Sequence, residues 1–419
     1  MSHAQRGSDE DPVDRGAVLP VVDLHSHYPM QLELTRRVPT SSHHMVRQLA
    51  SVARFEAWRW AQRALQDAGT RANVSLAQYR EAGVSVAFSV LYSGADEFAA
   101  GLSQSPPQPD ALRHLLEQLE QVERAVDVHA PVAVVARDHA DLGSAREQHK
   151  LALVHCVEGG FHLGGTLRSI KRNVDLLRNR GVAYVTLAHL LHRQIATNNA
   201  GMPWLPDAAF HRLHAQPARG LSDLGRAAVK ALFEAGILID VSHMSERSLA
   251  DTVELLDTLD PRRRMPLIAS HVACRLGSRD YNLTDPWIRA IHARGGVLGV
   301  ILCDAYLRDG APRARAHDRE AGAEHSFALF CRHVDHIRAV TGSFDAVAIG
   351  SDFGGWGRPL EGFEHPGRLR DLALRLERRY GRAPAEQICA GNVLRALATI
   401  WPPNASRSGS VESWRRSSS

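Results

Sequence analysis

Eight short apolar runs punctuate this chain, at residues 19–25, 84–91, 151–157, 182–188, 237–242, 267–270, 296–302 and 346–351. Most are continuous rather than alternating, as expected of parallel strands covered on both faces. Helical patterns fill the segments between them. Residues 220–236 carry a cap-type Ser222, an apolar stripe and a terminal Gly236. Residues 284–295 repeat that logic, with Pro286 near the first turn. Strand and helix alternating eight times predicts an α/β fold of the (β/α)8 type, a TIM barrel. An open, doubly wound sheet is the alternative.

Three segments stand outside the repeat. Residues 40–80, with Trp58 and Trp60, predict a helical elaboration after the first strand. Residues 192–220, rich in Asn, Pro and Trp, predict a long loop over the barrel mouth. The expected organisation is a flexible N-terminus over 1–16, a barrel over 17–404 and a disordered Ser- and Arg-rich tail over 405–419.

Composition narrows the function classes. The 419 residues are 44% hydrophobic and carry a formal net charge of +4. The arginines are scattered, without the basic and aromatic stripe that single-stranded nucleic acid needs, so no nucleic-acid partner is expected. No run reaches the roughly 18 apolar residues of a membrane span, and residues 1–16 show no secretory signal. No membrane association is therefore expected. Five cysteines, odd in number and widely spread, point to reduced thiols and a cytoplasmic setting.

Active residues of such barrels sit at the C-terminal ends of the strands and converge on one mouth. The first run ends in His25 and His27, two residues apart and so on one face of a strand. The others end in Glu158-Gly159-Gly160, His189, Asp240-Val241-Ser242-His243, Ser270-His271 and Gly350-Ser351-Asp352. Any one of these has a bland reading. A lone strand-end histidine is more often hydrogen-bonded than ligating, and Glu158 or Asp352 could cap a helix. A metal site explains all six placements at once. Two neighbouring divalent ions fit best: His25 and His27 on one, His243 and His271 on the other, and Glu158 bridging. Imidazole with carboxylate suits zinc, with manganese, iron or cobalt as alternatives. Water bridging such ions would ionise near neutral pH and act as nucleophile. Asp352 is then the residue to take and return the proton, and His189 is free to donate to the developing oxyanion.

With these motifs the chain resembles the renal or membrane dipeptidase family, peptidase family M19 of the amidohydrolase superfamily. The resemblance runs in motif order over roughly residues 19–400. It rests on Val157-Glu158-Gly159-Gly160, the stretch from Tyr184 to His189, Ile239 to Ser245, Ser270-His271, Ile349 to Gly355 and Gly391 to Arg395. It implies a TIM barrel with two zinc ions that hydrolyses dipeptides, some with a D-residue at the C-terminal position. It also implies a bridging Glu158, ligands His25, His243 and His271, acid/base chemistry at Asp352 and substrate contact by His189. Homodimers occur in the family, although no surface stripe here argues for one.

Two departures stand out. The family usually carries His-x-Asp on the first strand, where this chain has His25-Ser26-His27. A neutral imidazole in place of a carboxylate makes the cluster about one charge unit more positive, which favours anionic substrates. After His271 the family typically has Arg-Asn-Leu, its arginine gripping the substrate carboxylate. This chain has Arg279-Asp280-Tyr281-Asn282-Leu283, with Tyr281 at the arginine position. In an extended loop Arg279 would face the same side and substitute, beside Tyr281 and Asn282 as substrate contacts. Three readings follow: a dipeptidase or close variant cleaving a small amide, a superfamily hydrolase of another bond (an N-acyl amino acid, lactone, cyclic imide or phosphoester), and a metal-binding or partner-binding barrel without turnover.

Overall fold

The apolar runs become strands because their side chains are covered on both faces. A computed structural model describes residues 19–35, 74–98, 110–313 and 317–403. The strands are β1 (Val21–Ser26), β2 (Val84–Leu91), β3 (Ala133–Ala136), β4 (Leu151–Glu158), β5 (Tyr184–Thr186), β6 (Leu238–Asp240), β7 (Leu267–Val272), β8 (Leu298–Ile301) and β9 (Val347–Gly350). All pair in parallel. β1 and β4 are buried along their whole length. Truncating a core residue such as the fully buried Leu153 to Ala would cost about 2–5 kcal/mol.

Eight strands run in the order β1-β2-β4-β5-β6-β7-β8-β9. The ends then meet. The Asp352 N–H donates to His25 O at 2.9 Å, and the His27 N–H donates to Phe353 O at 2.8 Å. The sheet is therefore a (β/α)8 barrel and not an open, doubly wound sheet.

β3 is a ninth strand that the pattern of apolar runs does not contain. It pairs with residues 151–154 of β4, while β5 meets β4 at Val157 and Glu158. With the first half of β4 already taken, β5 shrinks to three residues, against the seven expected over 182–188.

The helix expected over 220–236 spans Asp223–Ala235. Ser222 Oγ accepts the Gly225 N–H at its start, and Gly236 closes it in the left-handed region at φ 66°. The helix expected over 284–295 spans Asp285–Ala293, with proline in its first turn. Of the elaboration expected over 40–80, the described part is the helix Leu76–Glu81, started by a Ser75–Gln78 capping box. Residues 36–73 lie outside the described residues, as do the expected flexible N-terminus (1–16) and disordered tail (405–419). Among the described residues no helix is long and apolar enough to cross a membrane.

Residues 192–220 are not a plain loop. They contain the helix Asp207–Leu213, and Ala200, Met202 and Phe210 share a small separate core with Leu190 and Leu191. Backbone bridges Ala196–Leu221 and Asn198–Met244 tie the segment to its surroundings. It lies against the site, because a Cβ on Gly201 would sit 2.6 Å from His243 Nδ1.

Candidate metal centre

Glu158 ends β4 at the centre of the barrel mouth, fully buried, and neither carboxylate oxygen has a hydrogen-bond partner. The glycines after it let the chain turn tightly. Gly159 has φ 94°, and a Cβ on Gly160 would lie 2.8 Å from the Leu187 carbonyl oxygen. Five imidazoles surround the carboxylate. His25, His243 and His271 bring Nε2 to 3.5, 3.6 and 3.5 Å from Oε1. His27 and His189 bring Nε2 to 3.5 and 3.4 Å from Oε2. Asp352 Oδ1 stands 3.1 Å from His27 Nε2.

A buried hydrogen-bond network fixes which imidazole nitrogen is bare. Ser270 Oγ donates to Asp240 Oδ2 at 2.6 Å, so its oxygen can only accept from His25 Nδ1 (3.0 Å) and His271 Nδ1 (2.9 Å). The Tyr184 hydroxyl donates to Leu24 O and likewise accepts from His25 Nδ1. With the protons of His25 and His271 on Nδ1, both Nε2 lone pairs aim at Glu158 Oε1. Asp240 anchors the arrangement, its two oxygens accepting from Thr186, Ser242 and Ser270. Such partners behind the ligands orient imidazoles for metal.

The electrostatics agree with that reading. Burial, and then neighbouring imidazoles, hold His25, His243 and His271 well below the usual histidine range, in the neutral form that ligates. Burial pushes the Glu158 carboxyl up to about 7, against the pull of His189 and His27. A carboxylate so strained is short of positive charge. Burial also opposes protonation of His189, but Glu158 and Glu97 outweigh it and raise that imidazole to about 9. His243 and Asp352 adopt the left-handed backbone region, at φ 65° and 57°. Such backbone strain in non-glycine residues clusters at functional sites.

Three overlapping groups have ligand atoms within 4.8 Å of one another: His25–Glu158–His271, His25–His27–Asp352 and Glu158–His189–His243. All seven residues singled out for metal or catalysis meet at one mouth. The donor set fits divalent cations: orphaned, buried nitrogen and carboxylate acceptors converge, and among the described residues no lysine or arginine side chain pairs with Glu158. The division between two ions is less clean than the strand ends imply, since His25 stands on the Oε1 side together with His243 and His271.

The expected substrate contacts are placed differently. Tyr281 is buried, and its hydroxyl donates to His271 O at 2.5 Å. Its ring packs on those of His243 and Tyr306 at 5.0 and 4.2 Å. It is part of the wall behind the ligands. Asn282 is also buried, its amide donating to Tyr306 O. The segment carrying Arg279 is a turn closed by the Asn282 N–H on Arg279 O, not an extended loop. Arg279 therefore reaches Tyr306, its guanidinium 5.4 Å from the ring centroid, with Nη1 buried and unpartnered among the described residues.

Two further residues shape the site without a role assigned from the sequence. Glu97, in the helix Gly94–Phe98 after β2, meets His189, and Asp240 organises the network behind the ligands. Asp240 does end an apolar run, which could have marked it. Nothing in the spacing around Glu97 does so.

Comparison with known proteins agrees with the fold and motifs. Residues 17–406 match the family model described as membrane dipeptidase (peptidase family M19). Dipeptidase 3 of Rattus norvegicus is 27% identical over 313 residues, covering 73% of this chain and 56% of that protein. The chain thus spans little more than half the length of such relatives. Two solved structures share the fold at 19% identity. Dipeptidase AC, a metallo peptidase, has a TM-score of 0.67 and covers 92% of this chain and 99% of its own. A metallo peptidase from Rhodobacter sphaeroides, bound to a phosphinate mimic of the dipeptide L-Ala-D-Ala, has a TM-score of 0.66 and covers 92% and 100%. With the match extending over nearly the whole barrel, the chain belongs to the membrane dipeptidase family, peptidase family M19.

Proposed function

We propose that this chain hydrolyses the amide bond of dipeptides or similar small amides, using two divalent metal ions, zinc by preference. The observation that carries the proposal is Glu158, fully buried with two unpartnered oxygens and ringed by five imidazoles. His25, His27, Glu158, His243 and His271 would hold the ions. Such ions supply Lewis-acid polarisation of a carbonyl oxygen and acidify water toward neutral pH.

The remaining steps belong to the chain's own groups. Asp352, beside His27, takes the proton of the attacking water and returns it to the leaving amine. His189 points Nε2 into the mouth and donates to the oxyanion as it forms. The segment carrying Met202 and Phe210 excludes bulk water. Arg279 offers the cation for a substrate carboxylate. A cytoplasmic setting is part of the same reading, supported by five buried cysteines with no disulfide among them.

A second reading is favoured by Tyr281, which puts a neutral, engaged hydroxyl where the family has an arginine. On that reading the substrate is an N-acyl amino acid, lactone or phosphoester. The test is turnover by zinc- and manganese-loaded protein on L,L- and L,D-dipeptides beside N-acyl amino acids and lactones. Dipeptide cleavage is expected. Cleavage of the other substrates alone would reject the first reading for the second.

A further inference from the structure

Glu97 is a carboxylate that no strand end announces, yet it is completely buried one residue-layer behind the mouth. Its Oε2 lies 2.6 Å from His189 Nδ1 and also accepts the Tyr92 hydroxyl at 2.6 Å. Its Oε1 accepts the Leu191 N–H at 2.7 Å. The Tyr92 hydroxyl and the Leu191 N–H each donate to one of its oxygens, which favours the ionised carboxylate, and an ionised carboxylate can only accept. The proton between Glu97 and His189 therefore sits on the imidazole.

The surroundings leave that ring little choice of pose. Tyr92 packs edge-on at 4.6 Å from one side and His243 at 4.6 Å from another. Arg193, two residues beyond Leu191, donates its guanidinium to the Glu97 carbonyl. The loop after β2 and the loop after β5 are thus pinned together at the residue that meets His189. With Nδ1 held, Nε2 is the atom left to face the mouth, 3.4 Å from Glu158 Oε2.

We propose that Glu97 is a positioning residue for His189: it keeps the Nδ1 proton in place and turns Nε2 toward the reacting atoms. The kinetic part of this rests on the hydrolytic reading above; the hydrogen-bond part does not. Glutamine at this position would set an NH2 group against one of the three donors, so the clamp loosens without any loss of volume.

The experiment is a double-mutant cycle of Glu97→Gln with His189→Ala, combined with 15N-histidine NMR of the wild-type protein and of Glu97→Gln. The expected NMR result is a protonated, hydrogen-bonded Nδ1 on His189 in the wild type, weakened or lost in E97Q. In the assay, E97Q should lower kcat about 10–100-fold with KM little changed and metal content retained. In the His189→Ala background the same substitution should change kcat less than about twofold, because the residue it orients is gone. A purely structural Glu97 would cost the same factor in both backgrounds, and that result overturns the proposal. So does an unprotonated Nδ1 in the wild type. Should the wild type cleave no dipeptide, the hydrolytic reading falls, while the NMR comparison still decides whether Glu97 holds His189.

Discussion

His243 and His271 point their Nε2 atoms at each other across 2.9 Å, with Glu158 Oε1 3.6 and 3.5 Å away. A divalent cation among these three atoms would satisfy both imidazoles and the carboxylate oxygen at once. Metal analysis should therefore find two divalent ions per chain, falling to one or none in Glu158→Gln. Chelation should abolish turnover and lower the unfolding temperature. At free metal 100-fold above the dissociation constant, binding adds about 2.7 kcal/mol of stability.

Asp352→Asn keeps the shape of the carboxylate and removes its basicity. It should lower kcat by about 10²–10⁴-fold while dipeptide KM and metal content stay near wild type. Steady-state kinetics and metal analysis on one preparation check this. Unchanged kcat with both ions bound would remove Asp352 from the chemistry.

His27→Asp adds a negative charge next to Glu158 and Asp352, whose oxygens lie 3.5 and 3.1 Å from the present imidazole. A less positive cluster acidifies water less, so the pH optimum of kcat should move upward. Preference should also move toward the dipeptides favoured by relatives that carry His-x-Asp. A pH–rate profile of the two proteins decides it.

Arg279→Ala should raise KM about tenfold or more for dipeptides with a free C-terminal carboxylate and leave their amides unaffected. Equal effects on acid and amide would show that the guanidinium over Tyr306 grips nothing. In that case the carboxylate has no cation of its own here.

His155 faces away from the mouth, fully buried, and among the described residues neither ring nitrogen has a hydrogen-bond partner, Glu123 standing 4.0 Å from Nε2. Burial, aided by Arg137 and Arg180 and opposed by Glu123, lowers it to about 4. The unfolded state takes up this proton first, near pH 6.5. The stability is therefore complete above pH 6.5 and is lost as pH falls toward 4. His155→Leu should remove a share of that acid sensitivity on the order of 3 kcal/mol, read from urea unfolding of the metal-free proteins at several pH values.

The barrel and the convergence of its strand-end residues are legible because both obey short-range rules. Strands buried on both faces read as apolar runs, and the candidate ligands follow those runs directly. β3 escaped because eight runs already complete the (β/α)8 alternation, and nothing local marks Ala133 to Ala136 as a ninth strand. Glu97 escaped for another reason: it meets His189 across 92 positions of chain, from a helix with two adjacent acids and no spacing signal. The pose of Arg279 is not legible because a backbone turn, held by the Asn282 N–H on Arg279 O and by the Arg279 N–H on distant Asp309, decides which way the side chain leaves. The same limit applies to Ser270, which looks ordinary beside His271 until Asp240 is seen to claim its proton.

The bonds from Asp352 to His25 and from His27 to Phe353 join segments more than three hundred positions apart. The first candidate ligands to leave the ribosome therefore wait for the last described strand before their surroundings exist. On the proposed reading, metal capture at full affinity needs that closure, and any cut or insertion that keeps this seam from zipping should yield protein that holds its helices but loads poorly.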